Sequence, residues 1–211
     1  MRAGAAGLAG AAILAATTAI AAPSAYDVEF VSQFADACVA QRTSLEASKA
    51  TAEAAGWSGV ASDADPEFAA VIGFSNAAAA DIRANHGTFD FATYAKSVDG
   101  VAHYLILSDA LIGYGAERQN IVGCYMYNFD AAAAIDPAAL DALLGAAPTE
   151  SQIDTHVSSW QWNKPEKLPG TLDLFLTFVP EASQYRDQYG FSGLVLQLNT
   201  MIPSPTELPG G

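Results

Sequence analysis

The two cysteines constrain the fold of this chain more than any other feature of the sequence. Cys38 and Cys124 lie 86 residues apart, and the sequence contains no third cysteine. In a protein that reaches an oxidising compartment, two thiols are expected to pair. Because Cys38 falls in a predicted helix and Cys124 in a predicted strand, a bridge would tie the first helix to the sheet.

Closing so long a loop stabilises a fold by about 4–5 kcal/mol in the chain-entropy picture. Two alternatives are open: a pair of buried free thiols, or a reactive thiol. Neither cysteine has the CxxC partner or the adjacent base that lowers the pKa of a reactive thiol. We therefore predict a structural disulfide between Cys38 and Cys124.

The N-terminal segment has the pattern of a secretory signal peptide. Arg2 gives it a positive start, Ala3–Ala16 forms an apolar run, and Ala19-Ile20-Ala21 is a small-x-small cleavage site. A retained membrane anchor is the alternative, but the run is alanine-rich and shorter than the roughly 20 strongly apolar residues that span a bilayer. We predict cleavage of residues 1–21 and a protein that is periplasmic or secreted.

The rest of the chain has the size of one domain. We predict a single domain over residues 22–202, followed by a flexible tail over residues 203–211 that is rich in proline and glycine. The formal net charge is −14, with 23 acidic and 9 basic residues. This balance repels phosphate backbones and anionic lipids, so nucleic-acid partners and membrane association after signal cleavage are not expected.

Helical patterns dominate the first half of the chain, and each predicted helix has a recognisable start or stop signal. Asp-Pro pairs open two of them, glycine follows the end of three, and a Thr-Glu-Ser-Gln sequence resembles a capping box. The predicted helices are Tyr26–Arg42, Ser44–Ala55, Pro66–Asn85, Ala138–Leu144 and a short one that opens at Thr149–Gln152 and carries His156.

Alternating patterns from Phe89 onward predict hairpins. Asp99-Gly100 separates two strands, a third runs over residues 120–129, and residues 172–178 and 194–198 form the last pair. The segment around Trp160-Gln161-Trp162 looks irregular. The order predicts an α+β fold in which N-terminal helices pack on one face of an antiparallel sheet of four or five strands built from hairpins.

One short motif suggests nucleophilic catalysis. Gly73-Phe74-Ser75-Asn76-Ala77 approximates the G-x-S-x-G elbow of serine hydrolases, and Asp109 or Asp130 and then His156 follow in the order acid, base. Such chemistry needs the serine on a strained turn, with the histidine taking its proton. The helix predicted from the Asp-Pro pair runs straight through Ser75, which argues against an elbow.

Metal and cofactor signatures are not found in the sequence. His86, His103 and His156 are widely separated and show no H-x-x-x-H or H-x-H spacing, so we predict no metal site and no cofactor.

The remaining candidates for function are aromatic side chains in predicted loops. Trp160, Trp162, Tyr185 and Tyr189 form this group, joined by Tyr114. Exposed aromatic rings on a rigid scaffold stack on sugars or anchor a partner protein, although such residues also commonly close the edge of a core. We therefore expect a monomeric, exported binding or interaction module without catalytic activity, whose partner is a protein, a small molecule or a saccharide. An exported serine hydrolase using Ser75 with His156 is the alternative.

Overall fold

A computed structural model describes residues 22–113 and 118–202. The predicted signal peptide, Tyr114 and the predicted C-terminal tail lie outside these residues. Eight strands are present in the described part of the chain: β1 (Ser58–Gly59), β2 (Thr88–Val98), β3 (Val101–Ile112), β4 (Gln119–Asn128), β5 (Glu150–Ile153), β6 (Ser158–Asn163), β7 (Thr171–Val179) and β8 (Gly193–Ile202). They form one antiparallel sheet in the order β1-β2-β3-β4-β8-β7-β6-β5.

The three longer helices are held by side-chain caps at their N-termini. In α1 (Ala25–Cys38), Ser24 and Asp27 form a reciprocal capping box, and in α3 (Pro66–Ala84), Asp65 accepts hydrogen bonds from the first free amides. The other helices are α2 (Leu45–Ala54), α4 (Asp141–Leu144), which follows a 3-10 turn over Pro137–Leu140, and α5 (Arg186–Tyr189).

The α+β class is the predicted one, but the number of strands and the placement of helices differ from the prediction. The sheet has eight strands rather than four or five. Helices pack on both of its faces, and β1 lies between α2 and α3, so the helices are not a purely N-terminal layer. The extra strands β1, β5 and β6 are short, and two of them form the edges, where alternation in the sequence is weakest.

Two local predictions are wrong for a common reason. Thr149–Gln152 was expected to open a helix, but Glu150–Ile153 is a strand. Trp160-Gln161-Trp162 was expected to be irregular, but these residues lie in β6. Pairing of β5 with β6, and of β6 with β7, supplies backbone hydrogen bonds that outweigh the local capping pattern.

One face of the sheet, which we call the helical face, carries the main core. Phe30 and Phe34 of α1 are fully buried there against Leu105, Met126 and Leu196 of the central strands. The predicted disulfide is present at this interface: the sulfur atoms of Cys38 and Cys124 are 2.01 Å apart and their Cα atoms 5.7 Å apart. Helix α1 is therefore fixed covalently to β4.

The described residues cover the opposite face only in part. Helix α3 packs over β2 and β3, with Phe68 and Ile72 buried against Ile106. The segment over residues 180–192, which includes α5, adds Phe191 to the same cluster near Tyr127. On the rest of this face, over β4, β8, β7 and β6, the side chains point away from the main core, and most of them are polar.

Candidate functional site

The open part of the second face is a surface built from four adjacent strands, which we call the platform. Cross-strand register places its residues in two rows that run across β4, β8, β7 and β6. The first row is Tyr125, Gln197, Phe175 and Gln161, and the second is Gly123, Asn199, Asp173 and Asn163. All except Gly123 are partly or fully exposed.

Tyr125 is held in a defined position on the platform by a glycine. A Cβ atom at Gly123 would lie 2.6 Å from Cε2 and 2.7 Å from the hydroxyl of Tyr125, so the ring lies across this backbone position. The phenolic hydroxyl donates a hydrogen bond of 2.9 Å to Oδ1 of Asn199 and is also hydrogen-bonded to Ser108. Only glycine leaves room for the ring here.

The hydrogen bonds of the second row fix the orientation of its amide. Asn199 accepts from Tyr125 through Oδ1, so its Nδ2 is the donor to Oδ1 of Asp173, at 2.8 Å. A continuous chain of hydrogen bonds thus crosses β3, β4, β8 and β7. Because each group already has its partner, these side chains need little reordering to meet a ligand.

The polar surface continues to the β6 side of the platform. Gln161 donates through Nε2 to Oδ1 of Asn163 at 2.7 Å, and Asn163 donates through Nδ2 to the hydroxyl of Thr149 at 3.2 Å. Phe175 lies between Gln197 and Gln161 and gives this side of the platform an apolar ring. The arrangement offers amide donors and acceptors around two aromatic rings.

The platform is free of basic side chains and keeps its tyrosine protonated. Burial, aided by the negative charge of Asp173, raises the pKa of Tyr125, while the hydrogen bond from Ser108 opposes this shift. Tyr125 therefore remains a hydroxyl donor at neutral pH. With Asp173 as the one charged residue in the two rows, the surface suits neutral, hydroxyl-bearing molecules and disfavours anions.

A second exposed surface lies where α3 meets α5, and we call it the α3–α5 surface. Phe74 is 51% exposed and Tyr189 is 38% exposed, which makes them the two most exposed large aromatic side chains described. A Cβ at Gly190 would collide with the ring of Phe74, so the turn after α5 approaches this ring closely. Tyr189 in turn contacts the edge of Phe191.

An ion pair joins α5 to α3 next to this surface. Oε1 of Glu67 accepts hydrogen bonds from Nε and Nη2 of Arg186, at 3.1 and 2.6 Å, and from the amide and hydroxyl of Ser192, at 3.1 and 2.8 Å. These groups line an open cavity of about 620 Å³, whose wall also includes Asp130 and Glu181. With Arg186 neutralised by Glu67, the cavity carries net negative charge.

The structure separates the four aromatic residues predicted from the sequence. Trp162 is buried in the main core, and its Nε1 donates to the carbonyl of Ala146 at 3.0 Å. Trp160 packs against the same core, on the helical face. Tyr185 is half-buried beside His156, with ring centroids 5.7 Å apart, and Tyr189 belongs to the α3–α5 surface.

The residues of the hydrolase hypothesis form no hydrogen bonds with one another in the described part of the chain. Ser75 lies inside α3, where its hydroxyl donates to the carbonyl of Val71 at 3.2 Å, so it is not on a strand-to-helix turn. Asp109 lies on the helical face, whereas α3 packs on the other face. Asp130 lines the cavity beside Glu67.

His156 lies in a turn after β5, not in the predicted helix. Its amide donates to Asp154 at 2.7 Å, and its Nδ1 is buried with no hydrogen-bond partner among the described residues.

His103 has a structural environment. It is fully buried, Nδ1 faces the carbonyl of Val101 at 3.1 Å, and Nε2 faces the hydroxyl of Tyr26 at 3.1 Å. Because a carbonyl only accepts, Nδ1 carries the proton and Nε2 accepts from Tyr26, whose oxygen accepts in turn from Asn128. Burial lowers the pKa of His103. His86 is exposed, with a φ of 62° directly after the end of α3.

Over residues 22–113 and 118–202, no three His, Cys, Asp or Glu side chains converge as ligands for a metal ion. In the same ranges, no helix is both long and apolar enough to cross a bilayer.

Sequence reasoning missed the platform. Two signals in the sequence point to it: Gln197 and Asn199 interrupt an otherwise apolar strand at alternate positions, and Gly123 lies inside another. A glycine within a strand marks a close approach of another group, here the ring of Tyr125. The neighbourhood of these residues depends on register between strands that are distant in sequence.

Comparisons give no relative from which a site could be transferred. No protein-family model matches the chain, and no curated protein or solved structure shows significant similarity to it.

Proposed function

We propose that the protein is an exported binding module, without catalytic activity, that holds a saccharide on the platform. The observation that carries this proposal is the Tyr125 ring, set across Gly123 and fixed by Asn199 and Ser108. Aromatic rings that present a fixed face next to amide and carboxylate groups suit sugars, whose rings have apolar faces and hydroxyl edges.

The chemistry of the surrounding groups supports a hydroxyl-rich ligand. Gln197 and Gln161 flank Phe175, and Asn199 and Asp173 lie in the adjacent row. Amides both donate and accept, and a carboxylate accepts strongly, so each sugar hydroxyl can meet a complementary group. A disulfide and a rigid central sheet would keep this surface in place in the periplasm or outside the cell.

A binding screen tests the proposal. The purified chain would be titrated calorimetrically with oligosaccharides of glucose, xylose, mannose and N-acetylglucosamine. Tyr125→Ala should lower the affinity of any sugar that binds about tenfold, the effect of losing one aromatic stacking contact. The matched control is Tyr189→Ala, which removes an exposed tyrosine outside the platform and should leave the affinity unchanged. Equal losses in both variants, or no binding by the intact protein, would contradict the proposal.

A second candidate function is docking of a partner protein on the α3–α5 surface. Phe74 and Tyr189 are exposed, and Glu67 and Arg186 of the same two helices line a negatively charged cavity. Together these features favour a partner with an apolar anchor and a basic side chain. A photo-crosslinking residue at position 189 should capture such a partner. Capture should be lost with Phe74→Ala and with Glu181→Lys; capture that persists in both variants excludes this surface.

A further inference from the structure

We infer that the ligand of the platform is an uncharged oligosaccharide of at least two sugar residues, lying across the strands. This inference rests on the proposed function and specifies its ligand. Tyr125 and Phe175 belong to the same row and are separated by Gln197 on β8. The backbone positions of the two aromatic residues therefore belong to one surface, and the ring of Tyr125 extends from its own position over Gly123 of the second row.

The spacing of the strands sets the length of the ligand. Adjacent strands lie about 4.8 Å apart, so the backbone positions of Tyr125 and Phe175, two strands apart, are separated by about 10 Å. One sugar ring can stack on one of these side chains, whereas a disaccharide is long enough to reach both. Gln161 and Asn163 continue the polar rows on β6, beyond Phe175, where a third residue would find hydrogen-bond partners.

The charge of the platform selects against acidic sugars. Neither row contains lysine or arginine, and Asp173 places a carboxylate at the centre of the second row. The whole chain has a formal net charge of −14. A uronic acid or a sulfated sugar would bring a second negative charge close to Asp173 without a cation to balance it.

Affinity as a function of ligand length tests this inference. For the sugar that binds in the calorimetric screen, the monosaccharide, disaccharide and trisaccharide would be compared. The second stacking contact should raise the affinity about tenfold from monosaccharide to disaccharide. Phe175→Ala should remove this gain, so that the disaccharide binds no more tightly than the monosaccharide, whereas Tyr125→Ala should weaken the binding of both sugars. Phe175→Leu, which keeps apolar volume, serves if the alanine variant does not fold.

The outcomes separate the two proposals. A monosaccharide that binds as tightly as its oligomers, or a Phe175→Leu variant that keeps the full length dependence, overturns the inference and leaves the proposed function standing. Tighter binding of uronic acid oligomers than of neutral ones overturns the predicted charge preference. If none of the tested sugars binds, the proposed function fails and this inference fails with it.

Discussion

The surroundings of the buried His103 predict how the stability of the protein depends on pH. The hydrogen bonds of His103 fit its neutral form, because Nε2 accepts from Tyr26 while the oxygen of Tyr26 accepts from Asn128. Protonation would leave two donors facing one hydroxyl in a buried site. Burial lowers the pKa of His103 from 6.5, against the opposing effects of the Val101 carbonyl and of Asp130 and Asp99.

The sign and size of the effect follow from proton linkage. Below about pH 6.5 the unfolded chain binds a proton at His103 more readily than the folded chain does. The contribution of His103 to the free energy of unfolding is therefore fully present above that pH and falls as the solution becomes more acidic. The loss approaches about 1.4 kcal/mol per pH unit, and reaches at most about 1.4 kcal/mol by pH 5.5. Asp109, whose pKa is raised by burial, contributes with the opposite sign, because its folded form takes up a proton more readily.

Urea unfolding between pH 5 and 8 would measure this dependence. His103→Gln should be less stable than the unaltered protein at pH 7.5, and the difference should shrink as the pH falls. The matched control is His86→Gln, which changes an exposed histidine outside the buried hydrogen-bond chain and should cost less stability at pH 7.5 than His103→Gln. A stability difference for His103→Gln that is constant over this range would contradict this role of His103.

Three other predictions concern the core and the hydrolase hypothesis. Reduction of the Cys38–Cys124 bridge should lower the free energy of unfolding by about 4–5 kcal/mol, measured by urea titration with and without a phosphine reductant. Trp162→Ala should cost about 3–5 kcal/mol because the ring is fully buried, whereas Trp160→Ala, at a partly buried position, should cost less in the same assay. Ser75→Ala should change stability by less than about 1 kcal/mol, and a serine-directed phosphonate should not label Ser75; labelling found by peptide mapping would restore the hydrolase hypothesis.

Short sequence patterns correctly predicted those helices and turns whose structure is set by neighbouring residues. The caps at Asp65 and the Asp99-Gly100 turn lie next to the residues that they order, so α3 and the β2–β3 hairpin could be predicted from short stretches of sequence. The disulfide was predictable because only one pairing exists. Thr149–Gln152 shows the limit: its capping pattern is genuine, but pairing with β6 decides its structure.

The candidate site could not be predicted in the same way. Tyr125 and Asn199 are 74 residues apart, and they meet only because β4 pairs with β8 in a register that places Gly123 opposite Asn199. A shift of one residue would turn Gln197 and Asn199 toward the core. The prediction for the tryptophans failed because the pairing of β6 with β7 cannot be read from the local sequence. This pairing places β6 inside the sheet and turns Trp162 into the core.

The most direct test of saccharide binding on the platform is a map of the surface that a sugar contacts. Amide chemical shifts of the labelled protein would be followed during titration with a neutral oligosaccharide that binds in the screen. We expect the perturbed residues to cluster at alternate positions of β4, β8 and β7, around Tyr125, Asn199 and Phe175. Perturbations that cluster instead at Phe74 and Tyr189, with the platform unaffected, would contradict binding on the platform.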